Sequence, residues 1–294
     1  MDEARLIESR RYLSDIGVWP PPARVRLSKW LLNFDEGRDR EIALTVAEGY
    51  VHVNAEEMTQ ATRAAVTALS TEPQFYDSPD RLLAWQSFIT ESIVSFPLGQ
   101  SGDPTASGYT FATIAEEIGI DSNNIHTGEQ LVTQIIKNPG RSIIFLDDLA
   151  ATGTQFTRHW QRKYHAPAGK HSLAELHAAA QIATCFFCPV VATEKAKQKI
   201  EQDTPVLVRP AHLLESQYSL LDPFSRIVPT EMRSEIADWL VKYATRTGHA
   251  KSGIGGYGGS ALAISLIRKT PNNTVPVLQW NGPETKPEWT AIVE

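Results

Sequence analysis

Apolar residues recur at helical spacing through roughly the first seventy positions of the chain, then give way to short apolar runs separated by helical stretches. Residues 3–16 predict a helix with Leu6, Tyr12, Leu13 and Ile16 on one side. Trp19-Pro20-Pro21-Pro22 stops it, because three prolines cannot continue a helix. Helical spacing resumes over 24–34 and 38–50, and Leu27, Trp30, Leu31 and Phe34 form an apolar stripe read as core. Asn54 with Glu57 reads as a capping box opening a helix to about Leu69, with Met58, Ala61, Ala65 and Leu69 buried. The expectation for residues 1–75 is an all-helical lobe.

The pattern then changes. Asp77-Ser78-Pro79-Asp80 is a turn and helix start, and Ile93-Val94-Ser95-Phe96 is a short strand closed by Pro97. A small-residue loop, Leu98 to Gly108, leads into an amphipathic segment from Tyr109 to Ile118. Thr127 and Gln130 can cap a helix over 129–137, and Ser172 with Glu175 makes a second capping box. Ile143–Leu146 and Ile182–Val191 read as buried strands, and Val206–Val208 as a further short strand. Thr230 opens a helix with Met232, Ile236, Trp239, Leu240 and Tyr243 on one side. Residues 261–267 and 275–280, joined across Pro271-Asn272-Asn273-Thr274, predict a hairpin. Strands separated by helices argue an α/β fold with a mainly parallel sheet flanked by helices. The expected divisions are the helical lobe at 1–75, an α/β core at 76–228, and a C-terminal helix plus Gly-rich hairpin at 229–294 completing that core.

Composition narrows the class. The 294 residues allow one large or two ordinary domains, with 42% hydrophobic and 21% charged residues. A net charge of -6 argues against a broadly basic surface made for nucleic acid, and leaves room for a local patch. Two cysteines make no disulfide framework, which fits a reducing cytoplasm. No signal-peptide core and no membrane-length apolar run is seen, so no membrane partner is expected.

The chemistry gathers at Ile143-Ile144-Phe145-Leu146-Asp147-Asp148-Leu149-Ala150-Ala151-Thr152-Gly153-Thr154-Gln155-Phe156. An apolar strand runs into two carboxylates, a loop of small residues, and a helix start expected to run from Thr154 to Tyr164. Ionised carboxylates are acceptors only, so Asp147 and Asp148 suit a vicinal diol. Backbone N–H groups over Ala151, Thr152, Gly153, Thr154 and Gln155, with the helix dipole, suit a phosphate. A ribose 5-phosphate carries both groups. Three other patterns yield less. Cys185-Phe186-Phe187-Cys188 has CxxC spacing but reads as two buried strand thiols. The histidines at 159, 165, 171 and 177 fit no helix face or metal site and read as mainly surface residues. Gly253 to Gly259 contains GxGxxG but precedes a strand, so it reads as a lid or a close-packed turn and not a dinucleotide loop.

The acidic pair and loop resemble the signature of type I phosphoribosyltransferases, an apolar strand, two acids, a spacer and Thr-Gly-Gly-Thr. Asp147 and Asp148 match the acids, and Thr152 and Gly153 match the start of the loop. Thr154 stands in place of the second Gly and Gln155 in place of the last Thr, which alters the phosphate half. The resemblance implies that the acids hold the ribose hydroxyls of phosphoribosyl pyrophosphate (PRPP). It also implies a pyrophosphate loop after the first core strand, which by position falls at Ser107 and Gly108. Mg²⁺ is implied with the substrate phosphates and without direct protein ligands. Trp30-Leu31-Leu32-Asn33-Phe34, the Gly-rich stretch, Pro271-Asn272-Asn273-Thr274-Val275-Pro276 and Trp280 extend the likeness to the phosphoribosyltransferase-like domains of bacterial conflict systems. That resemblance implies an anti-phage effector, including retron systems that pair it with a reverse transcriptase and a DNA-binding protein. The chemistry implied is phosphoribosyl transfer or cleavage of a nucleotide N-glycosidic bond. The alternative is a non-catalytic module that senses a nucleotide or docks a partner.

Overall fold

The computed structural model describes residues 2–98, 106–167, 169–247, 253–267, 270–279 and 289–293, with backbone alone for 106–109. The chain begins with α1 (Glu3–Asp15), α2 (Leu27–Leu31), α3 (Arg38–Glu48), β1 (Val51–Val53), α4 (Ala55–Ala68), α5 (Pro73–Tyr76) and α6 (Arg81–Glu91). It continues through β2 (Ile93–Ser95), α7 (Ala106–Glu117), α8 (Gly128–Lys137), β3 (Arg141–Ala150), α9 (Thr154–Gln161), β4 (Tyr164–Ala166) and β5 (Gly169–His171). Last come α10 (Leu173–Ala178), β6 (Ile182–Thr193), α11 (Glu194–Asp203), β7 (Leu207–Val208), β8 (His212–Leu214), α12 (Ile236–Ala244) and β9 (Ile264–Leu266). The protein is a mixed α/β fold with a parallel sheet flanked by helices.

Two compact units divide it: a split unit of Met1–Glu57 with Glu215–Glu294, and a sheet unit of Met58–Leu214. In the sheet unit the strand order is β2-β3-β6-β7, with β8 beside β6 further along, and all these pairs are parallel. Ile143, Phe145, Cys185 and Phe187 pack against Leu131, Ile135, Phe156, Trp160, Leu176 and Ile200 from the helices on one face. The intervening residues Ile144 and Phe186 are equally buried on the other face, where Phe88 of α6 meets Phe186 edge-on at 5.8 Å. Burial on both faces explains why β3 and β6 read as continuous apolar runs.

In the split unit, Phe34 lies 5.0 Å from Trp239, 4.9 Å from Tyr243 and 5.5 Å from Trp289 between ring centres. The Trp30 indole N–H donates to the Val277 carbonyl at 2.7 Å. These contacts tie the N-terminal helices to the C-terminal segment, so residues 229–294 group with residues 1–57. The expected division instead placed them with the core.

Several local expectations meet the structure directly. Both capping boxes form: the Asn54 and Glu57 N–H groups are reciprocally bonded at 2.9 Å, and Ser172 and Glu175 do the same. The N-terminal lobe, by contrast, is not all helical, because β1 pairs in parallel with β9. The C-terminal hairpin is not formed among the described residues. Pro276 has no N–H for a ladder, and Pro276–Leu278 turns as a 3-10 helix instead. Only a single parallel bridge joins Leu262 and Thr274, and Trp280 lies outside the described residues. The Gly-rich segment is a close-packed turn. Gly256 has φ +70°, and a Cβ there would come within 2.6 Å of the Thr274 carbonyl oxygen.

Candidate functional site

β3 is longer than the apolar run suggests. Asp147, Asp148 and Leu149 continue its pairing with β6, with Asp147 opposite Pro189 and Leu149 opposite Val191. The acidic pair therefore sits within the last third of the strand and not beyond its end. β2 pairs with β3 only as far as Phe145, so from Leu146 onward the second edge of β3 has no strand partner among the described residues. Both aspartates are half-buried. Strand alternation sets their Cβ atoms on opposite faces, and each side chain bends back along the backbone. One oxygen of each carboxylate accepts the N–H of the following residue, at 2.9 Å from Asp148 and 2.7 Å from Leu149.

Ala150 and Ala151 are buried, and Gly153 ends the loop in the left-handed region at φ +72°, ψ -12°. Glycine is required twice over there. The conformation disfavours a side chain, and a Cβ would lie 3.0 Å from the Ala196 carbonyl oxygen and 3.1 Å from Ile200 Cγ1. α9 starts directly afterwards without a side-chain cap. The Thr154 N–H reaches Thr152 Oγ1 at 3.4 Å, and the Thr157 N–H bonds the Gly153 carbonyl. The N–H groups of Gln155 and Phe156 have no partner among the described residues. The predicted residues 147–155 are thus contiguous in space: a carboxylate pair on the strand, a buried small-residue turn, and a helix start with two unmet donors.

Ser107 and Gly108 fall differently. They lie in the first turn of α7 and not in a loop, and their side chains are outside the described residues. Ala106 to Thr113 contains no proline and continues into the apolar positions Phe111, Ile114 and Ala115, whose burial favours a helix.

Two residues missed by the sequence reading hold this site. Thr193, the last residue of β6, donates its hydroxyl to the Ala151 carbonyl at 2.7 Å and accepts the Ala196 N–H at 3.1 Å. It caps α11 and ties that helix to the loop. Its signal was a Thr before Glu194, an N-cap pattern. His159, expected at the surface, is 1% exposed. Its Nδ1 lies 2.7 Å from the Tyr164 hydroxyl and 3.4 Å from the Leu98 N–H, which makes Nδ1 the acceptor. Nε2 is buried without a partner. Burial pushes the imidazole pKa down to about 3 and the Tyr164 phenol up to about 12. The signal was its place between Phe156 and Trp160 on the inward stripe of α9, which ends at Gln161, short of Tyr164. His165 is exposed and His171 and His177 are half-buried, as surface residues should be.

The two thiols are buried in β6, as read, and burial raises both pKa values well above the usual range. They are poor nucleophiles. Among the described residues there is no group of three or more His, Cys, Asp or Glu placed to hold a metal ion. No described helix is long and apolar enough to cross a membrane.

A family model described as PRTase-CE matches residues 27–294. No curated protein sequence matches. Among solved structures, the chain is similar to a hypoxanthine-guanine-xanthine phosphoribosyltransferase at 11% identity and a TM-score of 0.32, covering 56% of this chain and 78% of that one. It is also similar to the AQ2163 protein from Aquifex aeolicus at 15% identity and a TM-score of 0.29, covering 43% and 56%.

Proposed function

The chain belongs to the PRTase-CE family, a phosphoribosyltransferase-like group, and on that premise we propose that residues 147–155 bind PRPP or a related ribosyl phosphate. The observation that carries this reading is the turn at Gly153. It sets the unmet N–H groups of Gln155 and Phe156 immediately after a strand bearing two carboxylates. The donors suit a 5-phosphate, and Asp147 and Asp148 suit the ribose hydroxyls. Chemistry would occur at ribose C1 through an oxocarbenium-like transition state, by phosphoribosyl transfer or by cleavage of an N-glycosidic bond. The aspartates would orient the sugar and stabilise developing positive charge, and neither acts as nucleophile.

In this reading Mg²⁺ is carried by the substrate phosphates and water. When bound, Mg²⁺ would neutralise the pyrophosphate leaving group. The resemblance to conflict-system domains supports a cytoplasmic effector role in anti-phage defence, with a reverse transcriptase and a DNA-binding protein as partners. A second reading, a nucleotide-sensing or partner-docking module without turnover, is favoured by Thr154 and Gln155, which replace a Gly and a Thr of the type I signature.

The test is calorimetric titration of PRPP with and without Mg²⁺, on wild type and on Asp147→Asn with Asp148→Asn. Saturable, Mg²⁺-assisted binding that weakens by about tenfold or more in the variant is expected. Absence of binding would remove PRPP as ligand. Pyrophosphate release on adding candidate bases separates turnover from sensing. Unchanged phage sensitivity after gene deletion in the native host would sink the defence role.

A further inference from the structure

The split unit contains a groove of about 540 Å³ with no part in the proposed chemistry. One wall is the face of α1 bearing Ile7, Arg10, Arg11 and Ser14, at the i, i+3, i+4 and i+7 spacing that shares one side of a helix. The other runs along residues 22–29 and brings Arg26, Leu27 and Lys29. Among the described residues, every ionisable side chain lining the groove is a cation. That is unusual in a chain with 34 acidic and 28 basic residues. The segregation is already local in sequence. Between Ser9 and Phe34 the cations are Arg10, Arg11, Arg24, Arg26 and Lys29, against Asp15 alone.

The cations are held in different ways. Arg10 Nη2 donates to the Ala47 and Glu48 carbonyls at 3.1 and 2.5 Å, the last carbonyls of α3. Its guanidinium lies 4.3 Å from the Trp19 ring centre, and its Nε is buried without a hydrogen-bond partner. It is a fixed positive charge, partly offset by Glu48. Arg11 and Lys29 are exposed and make no ion pair with any described residue. Like charges gathered around one concavity repel one another and raise the local concentration of anions, and a bound anion relieves the repulsion. Guanidinium groups pair geometrically with phosphate oxygens. Ile7 and Val25, both partly exposed, offer an apolar surface for the uncharged part of a ligand. The volume lies in the range of roughly 300–1,000 Å³ that holds small molecules.

We propose that this groove binds a small organic polyphosphate of nucleotide size, at a residue set that shares nothing with residues 147–155. The probe is methylanthraniloyl-ATP, followed by fluorescence on the full chain carrying Asp147→Asn and Asp148→Asn, so that the first site is weakened and only binding sensitive to the groove's cations is scored. Saturable binding is expected. Adding Arg11→Glu and Lys29→Glu should raise Kd by about tenfold or more, with circular dichroism unchanged because both side chains are exposed. An unchanged Kd, or no saturable binding before the charge reversals, would overturn the proposal. If a single-stranded DNA oligonucleotide binds in an Arg11- and Lys29-dependent manner while the nucleotide does not, the small-ligand assignment is also overturned, in favour of a nucleic-acid strand. Because the acidic pair is already replaced, failure here leaves the PRPP reading untouched, and failure of that reading leaves this one standing.

Discussion

Single positions carry the candidate site to different degrees. Gly153 is fixed by its own dihedral and by the Ala196 backbone beside it. Gly153→Ala must adopt a left-handed conformation and push against a carbonyl oxygen that cannot rotate away. A loss of about 2 kcal/mol in chemical denaturation is expected, together with weaker PRPP binding, because the N–H groups of α9 shift with the turn. Thr193→Val keeps the side-chain volume but leaves the Ala151 carbonyl and the Ala196 N–H unpaired. A missing cap of this kind costs about 1–2 kcal/mol, measurable in the same experiment. Asp147→Asn and Asp148→Asn act otherwise. Their volumes hardly change, so binding should fall much more than stability.

The element that joins chemistry to scaffold is α9. Its first turn presents donors, and its inward side carries Phe156, His159 and Trp160 into the core. His159 makes this helix sensitive to acid. With a folded pKa of about 3 and an unfolded value of about 6.5, the unfolded chain binds more protons than the folded one between those limits. Stability is therefore fully present above pH 6.5 and falls as the pH drops toward 3. Between pH 7.5 and pH 5 this residue alone should remove about 2 kcal/mol. Urea denaturation at the two values reads the loss, and His159→Phe should flatten that part of the pH dependence even if the variant is less stable at neutral pH. His52 in the split unit, driven down to about 4 by burial, acts in the same direction and gives His159→Phe a residual slope.

At the scale of the whole molecule, the split unit is assembled from the two ends of the chain. Ile292 is fully buried, its carbonyl accepts the Arg26 N–H at 2.9 Å, and the Thr290 carbonyl accepts from Asn33 at 2.7 Å. A chain ending at residue 288 would lose Trp289 and Ile292 from the core and leave those donors unmet. Proteolysis within residues 1–57 should then become fast. Ile292→Ala is the milder test, with an expected cost of about 2–5 kcal/mol. A similar cost from Phe34→Ala, at the centre of the aromatic cluster, would place both residues in one cooperative core.

Features that depend on near neighbours are legible along the chain. Periodicity located most helices, side-chain chemistry located both capping boxes, and the apolar runs into Asp147-Asp148 located the strand and the acids, because each rests on interactions within a few residues. The chain also marked the small-residue turn, since only glycine suits the Gly153 conformation. Features that depend on distant partners are visible only once the chain is folded. β3 extends through the acidic pair because β6 continues beside it, and Val51–Val53 becomes a strand because Ile264–Leu266 pairs with it more than two hundred positions later. His159 is buried because Tyr164 and the Leu98 backbone meet its ring, although histidine alone suggests a surface. The expected C-terminal hairpin failed for the same reason. Local turn residues allowed it, but Pro276 could not supply a ladder and β1 offered β9 another edge.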